Sequence, residues 1–490
     1  MIVTPPMRTV LVSLLAVAFC RAQNDAPQRL SARAQGATPL MADLRELCDG
    51  IGGRPTGSAA CERAVEWSAR KFREAGANSV SVESFTVPNL WLPVSAEALA
   101  IAPEKFAIRV AAAPFSPSTR NAIEGAVVDA GDGTSEAFTK LGAAMQGKIV
   151  VVRSQEMKTF DDLFGEYMRN GTLVEAARKY KPAAMLLQST RPRGLLYRHP
   201  ITFDSSLAPV PMAIIGREQA ERLVRLAEKG EVRVRLSLQN KVGGAFESKN
   251  VIAEIRGREK PDEVVLIGAH LDSWDLGTGA EDNGVNVAMV IDVLRGFKTL
   301  GIAPRRTIRF ALFTGEEHGM WGSAGYVKRH GAELDKHIAV VIFDTGSGHL
   351  GGFYLNGREE LRNPVNAAMA AVSGLNATDH LVEAIDGTDN FDFALSGVPN
   401  LVGIQDPVPY LPDYHAESDT FDRVNAKEEK TTEAIACAVL WAFAESPEHP
   451  AWRQSREEVE KLLIDSKLDQ QMKAFSQWDD YKSGKRGYVK

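Results

Sequence analysis

The sequence predicts an α/β fold, a three-layer α/β/α sandwich around a mostly parallel mixed sheet. Three observations predict it. Residues 251–255, 264–267, 307–313 and 338–343 are largely apolar runs of strand length, as strands covered on both faces must be. Helical patterns at 285–297 and 323–328 lie between them, and alternating strands and helices build a sheet with helices on both sides. The composition suits a globular chain with ample core: 490 residues, 44% hydrophobic and 24% charged, within the ordinary range for folded domains.

The elements follow in chain order. Residues 1–22 read as a signal peptide, with Arg8 ahead of an apolar stretch at 10–19 and cleavage after Ala22. That run is too short for a spanning helix, which needs about 20 apolar residues. No later segment is long and apolar enough either, so the chain is expected to be exported, secreted or periplasmic, with no integral membrane segment. Residues 23–39 are polar and rich in Ala and Gln, and read as a linker. Residues 40–76 read as two helices around Gly52-Gly53-Arg54-Pro55-Thr56-Gly57. The second helix has an apolar face at Ala64, Trp67, Ala69 and Phe72, and Gly76 stops it. Residues 79–87 alternate as a strand does. From 96 to 245 short strands (125–129, 148–152, 183–187, 232–238) mix with helices, and there is one histidine. This stretch is expected to be a separate α+β domain inserted between two parts, 40–95 and 246–446, of the main domain. The last apolar helix ends near Ala444, and 447–490 reads as a charged helical tail without chemistry.

Several function classes are excluded. Net charge is −6 with no dense Lys/Arg run, so there is no electrostatic footprint for nucleic acid. Beyond Cys20 only Cys48, Cys61 and Cys437 remain. They allow at most one bridge, Cys48–Cys61, and spacing leaves it open. The stretch from Gly142 to Lys148 has phosphate-loop spacing. It continues with Ile149 into a strand, where a phosphate loop requires Ser or Thr and a helix.

Eight of the nine histidines lie between 270 and 449, on the α/β pattern, where ligands gather at the carboxyl ends of strands. His270-Leu271-Asp272-Ser273-Trp274-Asp275 follows one strand, and Glu281-Asp282-Asn283 opens the next helix. Glu316-Glu317-His318 follows another strand and Asp344 a third. Tyr414-His415 lies in a loop before the last helix. Singly, each is an ordinary turn, cap or structural histidine. Together, five ligand-type residues stand at successive element ends of one sheet. Imidazole with carboxylate suits borderline divalent ions. His270, Asp282, Glu317, Asp344 and His415 would supply one bridging carboxylate and two further ligands for each of two ions. Glu316, beside a ligand, is placed to act as general base. Asp272 is placed to accept the other N–H of His270 and fix its tautomer.

These segments resemble peptidase family M28, the co-catalytic zinc peptidases, and within it the plasma glutamate carboxypeptidase (carboxypeptidase Q) branch. The likeness covers about residues 40–446. It implies that His270, Asp282 and Asp344 bind one zinc ion, and that Asp282, Glu317 and His415 bind a second, with Asp282 bridging. It implies Glu316 as general base and Tyr414 as the group that polarises the carbonyl or steadies the oxyanion. It further implies a protease-associated domain at 96–245, a peptide substrate, and a homodimer in many members. Asn283, Gly315 and Met320-Trp321 depart from the branch pattern without removing a ligand. The reading is an exported di-zinc exopeptidase acting on dipeptides or short peptides. Its alternatives are a glutaminyl-cyclase-like acyltransferase and a non-catalytic binding protein on the same fold. Asp275, Asp386, Asp389 and Asp392 are expected to form an acidic rim that favours a free substrate amine, with no arginine beside the metal motifs.

Overall fold

A computed structural model describes residues 25–487; the expected signal peptide lies outside them. The strands, in chain order, are β1 Ser79–Val87, β2 Leu90–Ala102, β3 Phe106–Ile108, β4 Val110–Ala112, β5 Ile123–Asp129, β6 Ile149–Val152, β7 Ala184–Gln188, β8 Met212–Ile215, β9 Arg233–Gly243, β10 Phe246–Ile255, β11 Lys260–His270, β12 Arg306–Phe313, β13 His337–Ile342, β14 Leu350–Tyr354 and β15 Asn400–Gln405. They form two sheets.

The first sheet has seven strands in the order β1-β10-β12-β11-β13-β15-β14. The four in the middle, β12, β11, β13 and β15, run parallel, and the outer pairings are antiparallel. Every residue of β12 and β13 is buried, the physical reason these strands read as unbroken apolar runs. The pleat sends alternate residues of β11 to opposite faces. Val265, Ile267 and Ala269 pack with Phe72 of the helix Ala59–Glu74, Phe297 of the helix Val285–Thr299 and Ile435 of the helix Ala426–Glu445. Val264 and Leu266 pack with Tyr326 of the helix Trp321–Arg329 and Phe393 of the helix Asn390–Leu395. Because the central strands are parallel, their carboxyl ends open on one edge, and the loops after β11, β12 and β13 meet there.

The second sheet has eight strands in the order β3-β2-β9-β5-β6-β7-β8-β4. It begins at Leu90, slightly ahead of the change in composition near 96. One face packs on the helix Arg217–Ala227 through Ala220, Leu223 and Val224. The other packs on the helix Phe160–Tyr180 through Leu173, Ala176 and Ala177. Thr159 starts that second helix with a capping box shared with Asp162, which satisfies two of the otherwise unpaired end N–H groups. Trp274 and Ala416, neighbours of the ligand-type residues, pack into these two apolar clusters. The two sheets are therefore joined at the site itself.

Two terminal segments differ from expectation. Residues 23–39 are not a plain linker: Ala26–Ala34 is a helix whose Ala26, Leu30 and Ala34 are buried. Its Arg33 reaches Asp292 and Glu433 at 2.6 and 2.7 Å, fastening the helix to the main core. The tail holds three helices, Arg456–Asp465, Leu468–Ala474 and Trp478–Lys482, and packs on the site rather than extending into solvent. Cys48, Cys61 and Cys437 are free and buried.

Candidate metal centre

His270 ends β11, and Glu316 and Glu317 stand in the turn after β12. Asp344 follows β13, and Asp282 precedes the helix Val285–Thr299. Parallel register aligns the first three, since His270 faces Phe313 at the end of β12 and Gly268 faces Ile342 at the end of β13. His270 Nε2 lies 2.8 Å from Asp344 Oδ1 and 3.1 Å from Asp282 Oδ1. His415 Nε2 lies 2.9 Å from Glu317 Oε2 and 3.3 Å from Asp282 Oδ2. The five side chains expected as ligands thus form two clusters that share Asp282, one oxygen to each. Glu316 is close to the first cluster, its carboxylate within 4.8 Å of His270 and Asp344 ligand atoms.

Each imidazole is oriented through its other nitrogen. Nδ1 of His415 lies 2.9 Å from the carbonyl of Arg198, and Nδ1 of His270 lies 3.0 Å from the carbonyl of Asp272. An Nδ1–H donated to a carbonyl leaves the Nε2 lone pair free for a cation. Asp272 therefore fixes His270, but through its backbone. Its carboxylate stands 3.8 Å from that ring and accepts a hydrogen bond from the Thr56 hydroxyl instead.

The loop carrying Asp282 is held by two groups to which spacing assigns no role. The Asp419 carboxylate accepts the backbone N–H groups of Ala280, Glu281 and Asp282 at 2.9, 2.7 and 3.2 Å. The buried Arg54 guanidinium donates to the carbonyls of Leu271, Thr278 and Gly279 at 2.7, 2.7 and 2.9 Å.

The donor set fits divalent cations. Asp282 Oδ2 and both Glu317 oxygens are buried and accept no well-formed hydrogen bond from a described residue, a costly state for carboxylates unless a positive charge meets them. Ligand atoms around a tetrahedral ion with bonds near 2.0–2.2 Å lie about 3.3–3.6 Å apart, so the observed spacings of 2.8–3.3 Å need to widen by only a few tenths of an ångström to admit one. Burial pushes the His415 imidazole down to about 4, so it stays neutral and available. Burial raises the Glu316 carboxyl well above its ordinary range, and Asp344 and Glu317 add to this against the opposing pull of His270. Burial also raises Asp282, but the facing His270 and His415 rings, with Tyr410, outweigh it and hold that carboxyl low.

A cavity of about 370 Å³ opens on this cluster, lined by Glu316, Tyr410, Tyr414 and Asp386 among others. The Tyr414 ring stacks on His415 at 3.8 Å. Its hydroxyl is 2.6 Å from that of Tyr167, in the helix Phe160–Tyr180. Of the four acids expected in a rim, only Asp386 lines the cavity. Arg198 forks onto Asp275 at 2.8 and 2.9 Å, and Arg486 forks onto Asp392 at 2.9 Å twice. Arginines do adjoin the motifs, and they neutralise these two acids. The fourth acid, Asp389, is fully buried and does not line the cavity.

A family model described as peptidase family M28 matches residues 250–440. Over that segment the chain is similar to peptidase family M28. That match, the relatives described next and the ligand-type side chains gathered at its strand ends make it a zinc metallopeptidase. Beyond the matched segment, the chain is 29% identical over 412 residues to carboxypeptidase Q of Bos taurus, covering 83% of this chain and 85% of that protein. Its fold is similar to a peptidase M28 precursor of Shewanella amazonensis, with TM-score 0.79, 28% identity and coverage of 87% of this chain and 98% of that one. A zinc aminopeptidase of Bacillus subtilis shares the fold at TM-score 0.65 and 19% identity, over 83% of this chain and 94% of that one. With these two solved structures the likeness in fold extends well past residues 250–440, into the second sheet. Among the described residues no helix is long and apolar enough to cross a membrane.

Proposed function

We propose that the chain is an exported di-zinc exopeptidase that hydrolyses dipeptides and short peptides bearing a free amino terminus. The divided carboxylate of Asp282 carries this reading, with one oxygen 3.1 Å from His270 and the other 3.3 Å from His415. A carboxylate shared in this way suits a pair of ions about 3.5–4 Å apart. His270, Asp282 and Asp344 would hold one ion, and Asp282, Glu317 and His415 the other. When bound, the ions supply Lewis acidity toward the scissile carbonyl and lower the pKa of a water to near neutral.

The chain's own groups do the rest. Glu316 takes the proton from the attacking water and passes it to the leaving amine. Its burial favours the protonated form it must adopt midway. Asp272 and Arg198 hold the two imidazoles by their backbone carbonyls. Tyr414 presents a hydroxyl, steadied by Tyr167, to the oxygen that gains charge. Asp386, on the cavity wall, is an acid suited to a substrate ammonium. We read the second sheet as a protease-associated domain that borders the cleft, and residues 1–22 as the export signal.

The test is a dipeptide panel with free and blocked termini, incubated with zinc-loaded protein and read by mass spectrometry. Acetylating the amino terminus should abolish cleavage, while amidating the carboxyl terminus should cost less. Equal hydrolysis of N-acetylated and free peptides would overturn the amine requirement, and no hydrolysis of any peptide would overturn the reading.

A further inference from the structure

The carboxyl-terminal residues 456–487 lie beyond the matched segment 250–440, yet Gln471, Phe475 and Gln477 line the same cavity as Glu316 and Glu317. The segment is firmly attached. Val459, Leu463, Met472 and Tyr481 pack with Met320, Phe391 and Leu395, on the side of the catalytic turn. The Arg486 guanidinium, 7% exposed, forks onto Asp392 and donates to the Gly319 carbonyl at 3.0 Å. From the other direction, the Phe475 ring lies 4.1 Å from Phe203 at 30°, and Phe203 lies 5.4 Å from Tyr167.

Tail, second sheet and catalytic turn converge on Gly319. A Cβ there would stand 2.7 Å from the Phe203 carbonyl oxygen, and its φ of +117° already favours glycine. Nearby, the Ser205 hydroxyl donates to the His318 carbonyl at 3.0 Å. Three distant stretches of chain are thus fixed relative to the residue pair that would carry the proton and hold the ion.

We infer that Phe475, together with Phe203 and Phe164, forms an apolar subsite for one bulky apolar side chain of the substrate, which makes the tail a specificity-determining part of the active site. The inference rests on the peptidase reading and names the substrate class: short peptides carrying a large aliphatic or aromatic residue. Phe164 lines the cavity while remaining 44% exposed, an aromatic surface that internal packing alone leaves uncovered. An apolar side chain laid against it removes water from both surfaces. A small side chain leaves the wall wet. A single methylene in an apolar pocket changes kcat/KM by about 10–200-fold, so loss of a ring from the wall should be readily measured.

The experiment compares phenylalanyl and alanyl dipeptides with the zinc-loaded full chain. Wild-type protein should prefer the phenylalanyl series by at least about tenfold. Phe475→Ala should lower the ratio of the two kcat/KM values by about tenfold, and Phe203→Ala should shift it in the same direction. Should Phe475→Ala fail to fold, Phe475→Leu, which keeps apolar volume while removing the ring, reads the same ratio. An unchanged ratio in the folded variants, or a wild type indifferent to side-chain size while cleaving both series, overturns the subsite and leaves the peptidase reading intact. A wild type that cleaves neither series overturns both.

Discussion

Neighbouring glutamates with different surroundings should separate cleanly on substitution. Glu317 Oε2 faces His415 at 2.9 Å, so Glu317→Gln should lower metal content, measured by elemental analysis. Glu316→Gln should keep both ions while turnover falls by about 10²–10⁴-fold, the usual worth of a general base. Retained activity, or lost metal, in Glu316→Gln would exchange the two roles. A third acid offers a pH signature. Burial pushes the Asp386 carboxyl up to about 7, against the opposing pull of Arg486. The unfolded chain sheds this proton near 3.9 while the folded chain keeps it. Between about pH 4 and 7 the folded state therefore binds more protons, and stability falls as pH rises. Asp386→Asn removes that penalty. Its melting temperature should exceed that of the parent at pH 8, and the two should converge at pH 4. The five ligand-type residues were legible because each stands at an element end in a patterned sheet. Asp419, Arg54 and Tyr167 were not, because their partners lie 137 or more positions away and no local period records such a pairing.

Among the elements, the central strands announce themselves because burial on both faces demands apolar runs. The amino-terminal helix carried its own signal, Ala26, Leu30 and Ala34 recurring every fourth residue, which polar neighbours masked. The tail was legible as helical but not as functional, since charge and period describe a helix without saying what it packs on. Its attachment makes a sharp prediction. Arg486 and Asp392 are both buried, and breaking a buried pair leaves one charge uncompensated at a cost of about 3–5 kcal/mol. Arg486→Met should lower the melting temperature by several degrees. Adding Asp392→Asn to it should recover part of the loss, a coupling that a purely additive pair would not show.

For the molecule as a whole, the second sheet is more than a neighbour of the cleft. Tyr197 pairs with Ala416 as an isolated antiparallel bridge. Arg198 N–H donates to the His415 carbonyl at 3.0 Å, while its own carbonyl accepts from the His415 ring. His415 itself has φ +58°, a left-handed conformation that costs a non-glycine residue about 1–3 kcal/mol unless its surroundings impose it. Replacing 90–243 by a short Gly/Ser linker should thus leave Asp282 and Glu317 in place but release His415. Elemental analysis of the folded variant should give one ion per chain, and two ions would show that the bridge contributes nothing to the site. The same bridge has a thermodynamic corollary. If docking of the second sheet raises the affinity of the His415 cluster for its ion by some factor, the ion must raise the affinity of docking by that same factor. Zinc supply and interdomain order then become a single equilibrium, and a chelator acts on the quaternary-like seam between the sheets as directly as it acts on the reaction.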